Sequence, residues 1–149
     1  MLPAIEAVPL QTFDAPLAGE LFAVARLLFG GLLAFMGLNH FQNLDHMAGY
    51  AEMKGIPAPK FSVAFSGGLL VFGGLGVALG VLPTLSAGAL ATFLLVSAVK
   101  MHDFWNAPEE DQQTEMTQFL KNVTLSAAAL GLLAVSGAEW PYAVGVGLL

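Results

Sequence analysis

The chain has 149 residues, five of them basic and eleven acidic, for a net charge of −6; 56% are hydrophobic and 11% charged. A soluble domain of this size carries about a quarter charged residues, so composition excludes a water-coated globule, and so few cations exclude a nucleic-acid-binding role. With no cysteines, disulfides, thiolate metal sites and thiol relays are ruled out, and any redox role has to rest on a bound cofactor, a quinone or a partner protein.

The first twenty residues carry acidic charges only, and the first apolar run contains Arg26. A cleavable leader has a basic start and an uncharged apolar run, so none is expected and the first span should stay in the mature protein. That span is placed at about 17–38, long enough as a helix to cross about 30 Å of hydrocarbon. A polar loop follows at 39–60, with His40, Asp45, His46, Glu52 and Lys54, and its Gly55-Ile56-Pro57-Ala58-Pro59 run stops any helix. The second span, about 61–82, contains Gly67, Gly68, Gly73, Gly74, Gly76 and Gly80. Small residues let helices approach closely in lipid, where packing drives association, and Gly67, Gly73 and Gly74 are the expected packing glycines. The short Val81-Leu82-Pro83-Thr84 turn makes spans two and three antiparallel neighbours. The third span, about 85–101, ends in Lys100, His102, Asp103, Phe104 and Trp105, a mixture suited to the membrane interface. Residues 106–118 read as a hydrophilic loop whose Glu109-Glu110-Asp111 run faces water, and a fourth span follows at about 119–137.

The expected fold is therefore all-α, a transmembrane four-helix bundle formed as a single membrane domain over residues 1–149. Its neighbours are antiparallel and both termini lie on one side. Lys54, Lys60, Lys100 and Lys121 all belong to the side of the polar loops. The positive-inside rule then makes loops 39–60 and 102–118 cytoplasmic in a multi-pass protein of the cell membrane. The last residues, 143–149, are too few to cross again and should lie in the interface or cover a neighbouring helix.

Two places carry candidate chemistry. Arg26 lies within the first span, where a central arginine costs about 2.5–3.5 kcal/mol and requires partners; Glu20 and Glu139 are candidates, with Ser66, Thr92 and exposed backbone behind them. It reads either as an anchor for an anion or quinone carbonyl, or as half of a structural buried pair. At the opposite end His40, Lys100, His102, Asp103, Lys121 and Asn122 can converge. That cluster reads as a polar belt capping helix ends, as a quinone- or proton-handling site, or as a haem or metal site built on two histidines. No metal site is assigned, no nucleotide loop or nucleophile elbow occurs, and no catalytic residue is identified.

Several segments together resemble the DoxX family of small four-span membrane proteins: Arg26-Leu-Leu-Phe-Gly30, Gly37-Leu-Asn-His40-Phe41, the Gly73-Gly74 pair, His102-Asp103-Phe104-Trp105 and Phe119-Leu-Lys121-Asn122. The resemblance implies an integral membrane protein linked to oxidoreductase complexes and quinone-coupled chemistry. Family members often place a glutamate just before the glycine pair, facing the span-one arginine; here Leu70 occupies that region. Two functions are expected from this reading. One is an accessory subunit of a quinone-linked membrane redox complex, for which quinone ranks ahead of haem as cofactor. The other is a non-catalytic scaffold or assembly factor packing against other membrane subunits or against its own copies. Solute transport has less to recommend it, since the only deep charge is Arg26.

Overall fold

The computed structural model describes residues 12–146. Expectations that fall on the first eleven or last three residues, the leader among them, lie outside the described residues. Five α-helices account for most of the chain: α1 (Ala18–Gln42), α2 (Leu44–Met53), α3 (Pro59–Leu79), α4 (Pro83–Met101) and α5 (Glu109–Ala134). A single 3₁₀ turn, Phe104–Asn106, joins α4 to α5, and no strand occurs among the described residues.

Prolines set two of the helix starts. Pro59 and Pro83 stand at the first positions of α3 and α4, where a missing N–H costs nothing and φ is already helical. The residue before a proline is kept out of the right-handed helical region, and Ala58 and Leu82 take left-handed φ values of 46° and 45°. Gly80 ends α3 with φ 71°, the left-handed conformation that glycine adopts without penalty.

Three helical stretches, Ala18–Gln42, Pro59–Leu79 and Pro83–Asn106, are long and apolar enough to cross a membrane. Helix α5 falls short of that measure because Gln118, Lys121 and Asn122 interrupt its apolar half and its first turns are polar. The observed helices also differ from the expected spans. Helix α1 continues through His40 to Gln42, and loop 39–60 contains the whole of α2. The stretch 106–118 is not a loop, since α5 begins at Glu109. Pro108 precedes the helix, and Glu109, Glu110 and Asp111 occupy its first turn, where negative side chains meet the positive end of the helix dipole.

The helices pack in chain order, α1 on α3, α3 on α4 and α4 on α5, while α2 lies against α3. The α1–α3 seam is the closest. A Cβ built on Gly74 would lie 2.5 Å from Gly30 O and 2.7 Å from Ala34 N, and one on Gly37 would lie 2.7 Å from Gly67 O. These pairs establish an antiparallel register, and only glycine permits backbones to come this near. One turn further along, Arg26 falls level with Ala78, whereas Leu70 sits beside Gly37. The residue facing the span-one arginine is therefore not Leu70. Leu33 of α1, Leu70 and Val77 of α3, Leu90 and Leu94 of α4 and Ala129 of α5 form one buried cluster. Large apolar side chains such as Phe72, 77% exposed, point away from it; they cover the outside with apolar surface on a scale that a soluble monomer does not show.

Candidate functional site

The polar residues gather at two ends of the helices. At the first end, α2 and the α4–α5 junction meet. Helix α2 buries Ala48 and Ala51 against Val63 of α3, with Leu44, Met47, Ile56 and Met101 packed around them. Tyr50 and, just past the helix end, Lys54 lie half-buried on the flank of that face, where they meet the residues after α4. Lys54 Nζ lies 2.7 Å from Asp103 Oδ1 and 4.0 Å from Glu115 Oε2. His102 Nδ1 is 3.0 Å from Glu115 Oε2. Tyr50 O–H donates to Glu115 Oε1 at 2.9 Å and to Met101 O at 3.2 Å. Asn106 Nδ2 donates to Asp103 Oδ2 at 3.2 Å. The rings of Phe104, Trp105 and Phe119 pack edge-on, with centroids 5.3–5.7 Å apart, and pin the 3₁₀ turn to α5.

The electrostatics follow from this geometry. The hydrogen bond from Lys54 holds the Asp103 carboxyl below its ordinary range, helped by Asn106. Burial works to raise Glu115, but donors from His102 and Tyr50 and the Lys54 charge outweigh it and bring the group down. Burial likewise opposes the Lys54 ammonium, and the bond to Asp103 with the nearby negative charge overcomes it, so its pKa rises. Burial pushes the Tyr50 phenol up, and its bond to Glu115 adds to the effect. At neutral pH the site thus holds an ammonium, two carboxylates and a neutral phenol that donates. These residues line an open depression of about 460 Å³ together with Met53, Pro108 and Asp111. A second depression of about 640 Å³ runs between α3 and α4, but its lining offers no titratable group.

Of the six residues singled out at this end, the structure brings only His102 and Asp103 together. His40 lies on α1, its Nδ1 2.9 Å from Met36 O and its ring 6.5 Å from that of Phe93. Lys100 is exposed, and Lys121 Nζ turns back to Gln118 Oε1 at 2.5 Å. Asn122 is buried one level deeper and donates to Ser97 Oγ at 3.2 Å. Tyr50, Lys54 and Glu115 were not among the candidates. A signal for Glu115 was present: it shares the α5 stripe of Phe119, Asn122, Ser126 and Ala129, spaced three and four apart. The packing glycines Gly67, Gly73 and Gly74 abut His40, Leu90 and Gly30 respectively. No group of three or more metal-ligating side chains occurs among the described residues.

Arg26 occupies the second end and is 1% exposed. Its Nη2 donates to Pro141 O at 2.6 Å, and its guanidinium carbon lies 5.3 Å and 5.2 Å from the Phe22 and Trp140 ring centroids. Its Nε and Nη1 have no partner among the described residues. Neither expected acid bonds to it: Glu20 accepts from Tyr142 O–H at 3.2 Å, and Glu139 is exposed. The burial comes from residues 135–146, which cross this end as a strap. Val144 N–H donates to Leu79 O at 2.8 Å, Leu82 N–H donates to Val146 O at 2.9 Å, and Trp140 Nε1 donates to Val135 O at 2.9 Å.

Compared with known proteins, the chain matches the DoxX family model over residues 21–103, more than half its length. No curated protein and no solved structure matches it.

Proposed function

The chain belongs to the DoxX family of membrane proteins, and from that premise we propose that it is an accessory subunit of a quinone-linked redox complex, with the cluster around Lys54 and Glu115 as its headgroup site. In this reading residues 117–134 of α5 form a fourth span, closing a bundle with both termini on one face. The Lys54, Lys60, Lys100 and Lys121 end then faces the cytoplasm by the positive-inside rule.

The observation that carries the proposal is the connected polar chain at the depression, Asp103–Lys54 and Glu115–Tyr50 in its lining with His102 bonded to Glu115 from behind. The residues fit a small headgroup bearing carbonyl oxygens. Lys54 Nζ has three N–H bonds and one close carboxylate, so it retains donors for a ligand oxygen. Tyr50, kept protonated, could turn its one O–H from Glu115 to a ligand oxygen as a second donor, leaving Glu115 held by His102 and the Lys54 charge. A quinone would supply the two-electron couple; this chain would bind its head, orient it and hold the proton at Tyr50 Oη.

A second reading, a scaffold without cofactor, is favoured by the same chain seen differently. Every group in it is already bonded to another, so it clasps α2 to α4 and α5. Titrating a short-chain quinone into protein in lipid nanodiscs separates the two. In a Trp140→Phe background Trp105, next to Asn106 of the depression, is the reporter. The redox reading expects saturable quenching that weakens about tenfold in Lys54→Met, the loss of one charge-assisted hydrogen bond. Absence of saturable quenching leaves the scaffold.

A further inference from the structure

Arg26 presents a problem that the cluster at the other end does not touch. A buried guanidinium retained without a counter-charge is costly, and unused N–H donors add to the cost. Arg26 is 1% exposed, gives one bond to Pro141 O, and has two N–H sites, Nε and Nη1, with no acceptor among the described residues. Its depth narrows the choice of acceptor. Trp140 packs on its guanidinium and Tyr142 follows its acceptor Pro141, and such side chains sit at headgroup level in a bilayer. The oxyanion available at that level is the phosphate of a phospholipid.

The surroundings narrow it further. Glu20 reaches Tyr142, the neighbour of Pro141, and Glu139 is exposed beside Trp140. Two carboxylates at the rim repel a headgroup of net negative charge and attract an ammonium. The covering strap is anchored at Trp140, 8% exposed with Nε1 bonded to Val135 O, and more lightly held beyond it. Two backbone hydrogen bonds tie its far part to Leu79 and Leu82, Tyr142 and Val144 are 73% and 62% exposed, and Tyr142 holds a left-handed φ of 55°, a strained conformation for a side-chain-bearing residue.

We propose that Arg26 is a strap-gated receptor for the phosphate of a zwitterionic phospholipid, with Glu20 and Glu139 taking the headgroup ammonium. When residues 141–146 lift, the phosphate replaces Pro141 O and supplies acceptors to Nε and Nη1. The strap at rest stands in for the lipid with a single carbonyl.

The test is native mass spectrometry of the full-length protein in mild detergent, offered equal amounts of phosphatidylethanolamine and phosphatidylglycerol. One retained phosphatidylethanolamine per chain is expected. Arg26→Gln should reduce retention about tenfold, the effect of deleting a charge-assisted bond. The chain has no cysteine, so a Gly19→Cys, Pro141→Cys pair can lock the strap. A Cβ at Gly19 lies 3.2 Å from Pro141 Cβ, a few tenths short of the about 3.5–4.5 Å of a disulfide. Retention should fall on oxidation and return on reduction, a comparison within one folded protein that stands even if Arg26→Gln does not fold. The double variant Glu20→Gln, Glu139→Gln should shift preference toward phosphatidylglycerol. Retention unchanged by oxidation overturns the proposal, as does equal retention in a folded Arg26→Gln. Wild-type preference for phosphatidylglycerol also overturns it, and displacement of the lipid by inorganic phosphate alone would make the receptor one for free anion and end the lipid assignment.

Discussion

Replacing Gly74 by alanine puts one methyl group into the tightest seam of the molecule. The new Cβ would stand 2.5 Å from Gly30 O, 2.7 Å from Ala34 N and 3.1 Å from Ala34 Cα. All three are backbone atoms of α1, so no rotamer change relieves them. Ordinary contact begins at 3.4 Å, and the shortfall of 0.9 Å has to come from separating α1 and α3. A gap of about 0.5–1 Å forfeits a quarter to a half of the dispersion energy of each pair it opens. Overpacking of this kind costs about 1–3 kcal/mol, and the upper part of that range is expected because in lipid nothing but packing holds the seam. Gly68 is the matched control: on the same helix, a Cβ there meets nothing within 4 Å, and alanine gains about 0.5–1 kcal/mol of helix propensity. Unfolding in mild detergent titrated with dodecyl sulfate should place Gly74→Ala about 2–3 kcal/mol below wild type, and Gly68→Ala at or above it. Equal midpoints for the two variants would refute the assignment of this seam as a backbone-to-backbone contact.

Lys54→Met removes the partner of Asp103 and should cost about 1–2 kcal/mol, the low side for charged hydrogen bonds, because 19% and 24% of the two side chains remain exposed. The pH dependence has a definite sign. Asp103 and Glu115 lie below their ordinary values of 3.8 and 4.5, so their contribution is complete above those values and drains away as pH falls through the lower folded ones. Lys54 is raised above 10.5, so its contribution is complete below that value and is lost as pH climbs past the folded one. Unfolding midpoints measured against pH should drop on both limbs in wild type and flatten in Lys54→Met; identical profiles would refute the ion-pair account. Asn122→Ala should cost about 0.6 kcal/mol, the average for a hydrogen bond between helices in a membrane protein, and leave quinone quenching unchanged; altered quenching would move Asn122 into the site. Reporter fusions at the C-terminus should signal from outside the cytoplasm, and a cytoplasmic signal would invert the proposed topology.

The apolar stretches behind α1, α3 and α4 could be read directly, because twenty-residue apolar runs have few other uses. The start of α5 could not be read in the same way. Glu109-Glu110-Asp111 has the composition of a solvated loop, and only the dipole argument and the spacing of Glu115, Phe119 and Asn122 mark a helix. The half-buried cluster was harder still, since Lys54 and Asp103 are 49 residues apart and Tyr50 and Glu115 are 65 apart. Proximity in sequence favoured Lys100 and Lys121, yet their helical positions turn them away from His102. For Arg26 the need for partners was legible and exposed backbone stood among the weaker candidates, but which carbonyl answers was not. The group that answers is a backbone carbonyl 115 residues away, and a carbonyl leaves no trace in residue identity.

Tyr50 and Lys54 leave the ribosome well before His102, Asp103 and Glu115. The glycine seam between α1 and α3 can therefore form while the last third of the chain is still being made, whereas the clasp on α2 closes only after α5 has emerged. A nascent chain halted in that interval would display a lysine and a phenol whose partners have yet to emerge.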